Sequence, residues 1–297
     1  MAYPFKEVVI IYNPKSTGSS RKDARQLYVK LSDSVQKSTV ITLKKTTHRG
    51  HFKEIAASYA AKEKEVLLIA ASGDGGYNEL VNGVVESPHS SVTVAVLPSG
   101  NANDHYHATS ERSLVERISD GKTVKYDVIE IASKSGGKDL HRYAHSYIGL
   151  GLTAYIGQKL TAADLNPLNE KWLVLKYLIK FSHITVRLEG SARWRRYRSI
   201  VFANTSRMSK VIKFADSTRF SDGKVELYTI KGTGILTILR ELCIGSTLGA
   251  TSNQSAGRYT LEMKRATDVQ CDGETLKLDA GGALINVHKE AIRTLAA

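Results

Sequence analysis

The sequence predicts an α/β domain followed by a β-rich one. A doubly wound α/β unit is expected over residues 1–130 and a β-sandwich-like unit over 131–287, with residues 288–297 packing back on the first. Three observations predict this. Strand-like apolar runs alternate with helix-period segments through the first part of the chain, as parallel sheets with crossover helices require. After Ile131 the alternation gives way to short strand-like runs joined by glycine and polar turns. The length, 297 residues, suits one large or two medium domains.

The elements follow in order. "EVVIIYNP" is a buried strand ending in a turn, and "SSRKDARQLYVKLSD" is a helix behind a serine cap. "STVITLKK" is a strand, and "GHFKEIAASYAAKEK" sets Phe52, Ile55, Ala56 and Tyr59 on one helical face. "EVLLIAAS", "YNELVNGVVE", "SVTVAVLPSG", "ERSLVERISD" and "TVKYDVIEIAS" continue as strand, helix, strand, helix, strand. Strands are then expected at "HRYAHSYIGLG", "HITVRLEG", "RWRRYRSIVFAN", "GKVELYTI", "RYTLEMKR", "TDVQC", "TLKLDA" and "ALINVH". Helices are expected at "TAYIGQKLTAAD", "NEKWLVLKYLIKF" and "TGILTILRELCIG", and the tail "KEAIRTLAA" reads as a terminal helix.

Composition narrows the function classes. The formal net charge is +13, which favours an anionic partner such as a nucleotide, a nucleic acid or a lipid headgroup. Basic residues concentrate at "RWRRYRS", Arg193–Ser199, where a solvated strand face is the plain alternative. Trp172 and Trp194 lie near basic and apolar residues, a mixture that suits a membrane interface. No apolar run approaches the ~20 residues of a membrane span. Two cysteines, Cys243 and Cys271, make no disulfide framework, and an intracellular protein is expected.

Three loops carry chemistry. "SGDGGYNE", Ser72–Glu79, sits between a buried strand and a helix. Glycines there let the backbone approach a ligand closely, and the helix N-terminus suits phosphate. A strand-to-helix turn capped by Asp74 is the plain reading. "LPSGNANDHYH" repeats the arrangement on the next strand, with Asp104, and "YNPKSTGSSR" offers Asn13, Ser16, Thr17 and Gly18 after the first. Ligands bind at the carboxyl ends of strands in such sheets. His105 and His107 read as helix-surface histidines, and the P-loop and G-x-G-x-x-G signatures are absent.

These stretches, in this order, resemble the diacylglycerol kinase catalytic domain family. "SGDGGYNELVNGV" resembles its GGDGT-x-NE-x-x-NG motif, "PSGNAND" its P-x-G-T-x-ND motif, and "NPKSTG" its N-P-x-S-G loop. "TTHRGHFKEIA", "DVIEI", "YIGLGLTAYI", "FADSTRFSDGKVEL" and "VQCDGET" are similar to further segments, from Val8 to Leu278. The resemblance implies ATP in a cleft between the two domains and phosphorylation of a lipid hydroxyl, diacylglycerol before a sphingoid-type alcohol. It places Asn13, Thr46, Gly73, Asp74, Gly75, Asn78 and Asn101 on nucleotide-contacting positions. Ser16, Thr17, Ser72, Gly76 and Glu79 complete the expected cofactor site. Asp74, Asp104 and Asp127 fall on aspartates linked to the catalytic Mg²⁺, and Glu274 on the general base. Asp222, with the carbonyls of Arg219 and Lys224, falls on a structural Mg²⁺ position.

Phosphoryl transfer asks for these residue types: positioning groups, phosphate neutralisation and a base at the attacking hydroxyl. Each has a plain alternative. Asp272-Gly273 suits a type I′ hairpin that would leave Glu274 on an exposed strand. Asp222-Gly223 is a turn signal, and Asp127 an ordinary strand-edge charge. The chain departs from the family at Ser72, Gly76 and Asn101, where relatives carry glycine, threonine and threonine. A cradle with Gly76 grips phosphate through backbone N–H groups. The expected partners are a lipid substrate and an anionic membrane surface met transiently from the cytoplasm. Nucleic acid is not expected, and a homodimer stays open. Alternatives are an NAD kinase-like enzyme and a non-catalytic nucleotide- or nucleic-acid-binding regulator.

Overall fold

The computed structural model describes residues 5–16, 19–34, 39–61, 65–87, 91–100, 103–110, 112–161, 173, 176–208, 212–214, 220–231, 240, 243, 245, 247 and 249–297. The chain forms two compact units, Met1–Asp127 with Lys289–Ala297, and Val128–His288.

The first unit alternates β1 (Glu7–Tyr12), α1 (Ser20–Ser34), β2 (Val40–Lys45), α2 (His51–Ala60), β3 (Val66–Ser72), α3 (Asp74–Val85), β4 (Thr93–Pro98), α4 (Asp104–Thr109) and α5 (Leu114–Asp120). β5 (Thr123–Ser135) leads out of it, and the end of β17 (Gly281–Leu295) returns. Its sheet runs β17–β4–β3–β1–β2, every pair parallel. β3 is buried along its whole length, which explains its unbroken apolar sequence. Leu27 and Leu31 of α1 pack with Leu114 and Ile118 of α5 against Val8, Ile10, Leu67 and Ile69. α2 buries the four residues its spacing predicts, and packs with α3. α5 begins with a capping box, Ser113 and Glu116, and ends at Gly121 in the left-handed region.

The terminal segment corrects the expected helix. Arg293 and Thr294 pair in parallel with Thr93 and Val94, so the tail is a strand on the edge of β4. Ile292, Thr294 and Leu295 are buried there. β-branched residues suit that pleated, half-covered edge better than a helix. Arg117, itself buried, fastens the strand: Nε donates to Ala296 O at 2.8 Å and Nη2 to Leu295 O at 2.7 Å.

The second unit adds β6 (Lys138–Ala144), β7 (Tyr147–Gly151), α6 (Leu152–Thr161), β8 (Ile184–Leu188), β9 (Arg195–Ala203), β10 (Arg207–Met208), β11 (Ile212–Lys213), β12 (Val225–Lys231), β13 (Gln254–Ala256), β14 (Arg258–Met263), β15 (Thr267–Cys271) and β16 (Glu274–Leu278). Its strands run β16–β15–β7–β9–β8–β14–β17, with β5 and β6 beyond β17 and β12 and β13 on the free edge of β9. A core including Ile129, Ile148, Ile200, Phe202, Leu261 and Ile285 joins most of them, and a second cluster gathers Tyr147, Val201, Met208, Phe214 and Tyr228. The run "HRYAHSYIGLG" is two strands rather than one, because His145 and Ser146 turn away to bond a buried carboxylate described below. The helix expected at "NEKWLVLKYLIKF" is helical at residues 173 and 176–180, and that at "TGILTILRELCIG" at 240, 243 and 245; most of their other residues lie outside the described ones.

Arg117→Met should therefore unfold the protein at lower denaturant, losing about 3 kcal/mol, since two main-chain carbonyls lose charged donors. Equilibrium urea unfolding reads the loss.

Candidate active site

The strand order of the first unit reverses between β1 and β3. β1 leads to β2 on one side, while β3 leads to β4 on the other. Such a switch point opens a crevice at the carboxyl ends of the two strands, where α/β sheets bind ligands. The loop after β1 turns tightly there: Asn13 Oδ1 accepts the Lys15 N–H at 2.9 Å, and Ser16 N–H donates to Asn13 O. The Ser20 hydroxyl donates across the switch to Ala71 O at the end of β3. A cavity of about 450 Å³ lies against this loop, lined by Asn13, Pro14, Ser16, Arg21, Lys22 and Arg25. Its basic wall is suited to phosphate. Thr17 lies outside the described residues.

The two glycine loops meet at β3 and β4. Gly73 and Gly100 stand backbone to backbone, and a β-carbon on Gly100 would fall 2.3 Å from Gly73 Cα. Ser99 N–H donates to Ser72 O at 3.1 Å. Asn103 holds the second loop from a left-handed backbone (φ 52°), with Oδ1 accepting Gly100 N–H and Nδ2 donating to Gly100 O. Asp74 Oδ1 accepts the His105 N–H at 3.4 Å, so the first loop's carboxylate reaches the start of α4. Asp104, buried, is the first residue of α4. Gly75 and Gly76 lie in the first turn of α3, where helix geometry directs their N–H groups outward. Asn101 lies outside the described residues.

The side chains behind the loops hold the helices. Asn78 is fully buried and accepts from Asn82 Nδ2. Glu79 accepts the Gly50 N–H at 3.1 Å and so fixes the start of α2. Thr46 is buried at the end of β2, its N–H on Tyr12 O. His51 Nδ1 closes that loop by accepting the Thr47 N–H. His105 is buried rather than on a helix surface, with its ring 4.9 Å from that of Tyr77. The helix α4 is short and its inner face is enclosed, which the motif spacing did not convey.

The departure at Ser72 and Gly76 has a steric basis. A β-carbon at Gly76 would lie 2.7 Å from both Cβ and Oγ of Ser72, and 3.2 Å from Phe52. The two positions share one space. Where the motif it resembles has glycine then threonine, this chain places serine then glycine. The Ser72 hydroxyl, 3.0 Å from Gly73 O, occupies that volume.

Asp127 is fully buried on β5 and accepts the Glu290 N–H at 2.7 Å. Glu290 adopts a left-handed backbone, φ 52°. Nearby on β5, Glu130 accepts from His141 and His288 at 2.7 Å each. Burial pushes that carboxyl up, but the two hydrogen bonds outweigh it and hold it below the usual range.

In the second unit, Asp272 and Gly273 both take positive φ, 44° and 91°, and Cys271 faces Glu274, so a two-residue hairpin joins β15 to β16. Its first residue points inward. Asp272 is fully buried and accepts the N–H groups of His145 (2.6 Å), Ser146 (3.1 Å) and Tyr147 (2.8 Å). His145 Nε2 stands 3.3 Å from the same carboxylate, and its Nδ1 is 2.8 Å from Ser146 Oγ. Asp272 thus nails the hairpin that carries the half-buried Glu274. Burial pushes the adjacent Cys271 thiol well up, leaving it inert. Sequence reasoning took Asp272 as a turn residue; only the positive-φ dipeptide signalled it. Asp222 Oδ1 accepts the Lys224 N–H at 2.9 Å and shapes a turn with Gly223 (φ 76°), while Arg219 lies outside the described residues.

Residues 7–131 match the Diacylglycerol kinase catalytic domain family. A diacylglycerol kinase of Staphylococcus carnosus is 30% identical over 235 residues, 76% of this chain and 73% of that one. The chain belongs to the diacylglycerol kinase catalytic domain family. A diacylglycerol kinase of Staphylococcus epidermidis is 26% identical over 91% of this chain and 86% of its own length. The crystal structure of a diacylglycerol kinase from Bacillus anthracis superposes with a TM-score of 0.69, covering 99% of this chain and 97% of that one. At 17% identity this is a likeness of fold. The family is one of kinases, and its α/β and β-rich domains are both present here.

Two predictions test the site's construction. Gly76→Thr should cost about 1–3 kcal/mol by overpacking. Adding Ser72→Gly should recover most of that, so a double-mutant cycle in urea gives strong coupling. Asp272→Ala leaves three buried N–H groups without their charged acceptor, and should cost about 3 kcal/mol or more by the same measurement.

Proposed function

We propose that this protein transfers the γ-phosphoryl group of ATP to the hydroxyl of a lipid alcohol, diacylglycerol first. The observation that carries the reading is the pair of glycine loops locked through Gly73 and Gly100 at the ends of β3 and β4. That contact leaves a side-chain-free floor beside the first turn of α3, which a phosphate can approach closely. The basic wall of Arg21, Lys22 and Arg25 beside Asn13 adds fixed positive charge.

In the proposed reaction, the lipid hydroxyl oxygen attacks the γ-phosphorus as the bond to the β-phosphate oxygen breaks. The hydroxyl proton passes to Glu274, and ADP leaves with the electron pair of the broken bond. The carboxylates suit a hard divalent cation, and Asp74, Asp104 and Asp127 would hold it with the phosphates. Bound Mg²⁺ neutralises phosphate charge. Asp222, with the carbonyls of Arg219 and Lys224, is proposed for a second, structural ion. Asp272 holds the hairpin so that Glu274 keeps one orientation. Among the described residues no helix is long and apolar enough to cross a membrane.

The test is phosphotransfer from ATP to a panel of diacylglycerol, a sphingoid base and NAD, with Glu274→Gln alongside. Lipid-dependent transfer, greatest on diacylglycerol, is expected. The variant should lose about 10²–10⁴-fold in turnover while nucleotide affinity changes little. Turnover unchanged in Glu274→Gln would rule that residue out as base, and phosphorylation of NAD alone would replace the lipid reading.

A further inference from the structure

The strongest unassigned surface is on the second unit, around the β8–β9 hairpin. Trp194, Arg196 and Arg198 alternate along one face of the strand. Arg187 lies on that face too, its guanidinium 5.2 Å from the Trp194 ring centroid. Arg198 turns inward, is buried, and donates to Leu178 O and Phe181 O. This seats the helical residues 176–180 on the same face as Trp194 and Arg196. Leu178 is buried against Leu152, with Ile156 and Phe181 beside it. Lys176, Ile179 and Lys180, spaced i, i+3 and i+4, form the outer side and are exposed.

The patch combines apolar and basic groups. Trp194 is 40% exposed and Ile179 61%, two of four large hydrophobic side chains so exposed among the described residues. Around them stand Lys176, Lys180 and Arg196, all exposed. Among the described residues none of these three has a carboxylate within ion-pairing distance. The nearby acids are engaged elsewhere: Glu262 pairs with Arg187, and Glu189 accepts the Thr260 N–H. A face with free bases around a tryptophan and an isoleucine matches anionic headgroups above an apolar layer. Nucleic acid would use the bases and stack on the tryptophan, but has no use for the isoleucine.

We propose that this face, Trp194 and Arg196 with Ile179 and Lys180, docks on an anionic lipid bilayer. The inference deepens the lipid-kinase reading, on which it rests for the reason to meet a bilayer. Binding is measured without nucleotide, so a failure of catalysis and a failure of docking are read separately.

The test uses the full chain carrying Trp172→Phe, which leaves Trp194 as sole tryptophan emitter. It is mixed with vesicles of phosphatidylcholine, with or without phosphatidylglycerol. Co-sedimentation with the anionic vesicles, reversed by salt and accompanied by a blue shift of Trp194 emission, is expected. Replacing Lys176, Lys180 and Arg196 together by Gln should weaken that binding on the order of 100-fold, at about fivefold per base. Should the triple variant fold poorly, Arg196→Gln and Lys180→Gln singly should each cost about fivefold. Ile179→Ser should reduce the blue shift. Equal binding to neutral vesicles, no binding to either, or wild-type affinity in these variants overturns the proposal. So does binding to single-stranded oligonucleotides that the vesicles do not compete for.

Discussion

Gly73 and Gly100 approach so closely that a β-carbon on Gly100 would fall 2.3 Å from Gly73 Cα, and one on Gly73 3.2 Å from Gly100 Cα. Much of the first unit's site depends on that contact. It sets two consecutive strand-to-helix loops edge to edge, lets Ser99 bond back to Ser72, and brings Asp74 to the start of α4. The contact is possible because β3 and β4 are paired in parallel to their ends, Ser72 facing Pro98. The left-handed Asn103 then folds the second loop back onto Gly100. Glycine supplies the close approach, and asparagine tolerates the left-handed backbone by bonding locally.

The same economy of space accounts for the unusual first motif. Ser72 and a β-carbon at position 76 would compete for one volume beside Phe52. Read one position at a time, Gly76 looks like a lost phosphate-binding hydroxyl. Read as a pair, it is the form of the loop that Ser72 permits. In the proposed reading the cradle would rely on main-chain N–H groups of α3's first turn, with the cationic side chains at the start of α1 beside it.

Much of the architecture was legible because its physics is local. β3 is apolar throughout because both its faces are covered, and α2's inner face follows a 3.6-residue period. The loops were legible as a set, since two of them end the successive strands β3 and β4 and a third ends β1. What escaped depends on contacts distant in sequence. The tail became a strand because the edge of β4 accepts it, information that lies about 200 residues away from the tail. Asp272 looked like a plain turn residue, but its carboxylate is consumed by the turn at 145–147. His105 looked like a surface residue until Tyr77 covered it. In each case a local signal was correct about backbone shape and silent about side-chain environment.

The two units thus contribute different kinds of preorganisation. In the first, main-chain contact joins the two glycine loops, the floor proposed for phosphate. In the second, a buried carboxylate fixes a hairpin and leaves its neighbouring glutamate half-exposed. The central claim is that the two glycine loops act as one nucleotide cradle. Amide hydrogen exchange with and without a non-hydrolysable ATP analogue and Mg²⁺ tests it most directly. The account predicts slowed exchange in both loops, at residues 72–77 and 99–105, together and at the same nucleotide concentration. Bound nucleotide that protects neither loop, or only one of them, would contradict it.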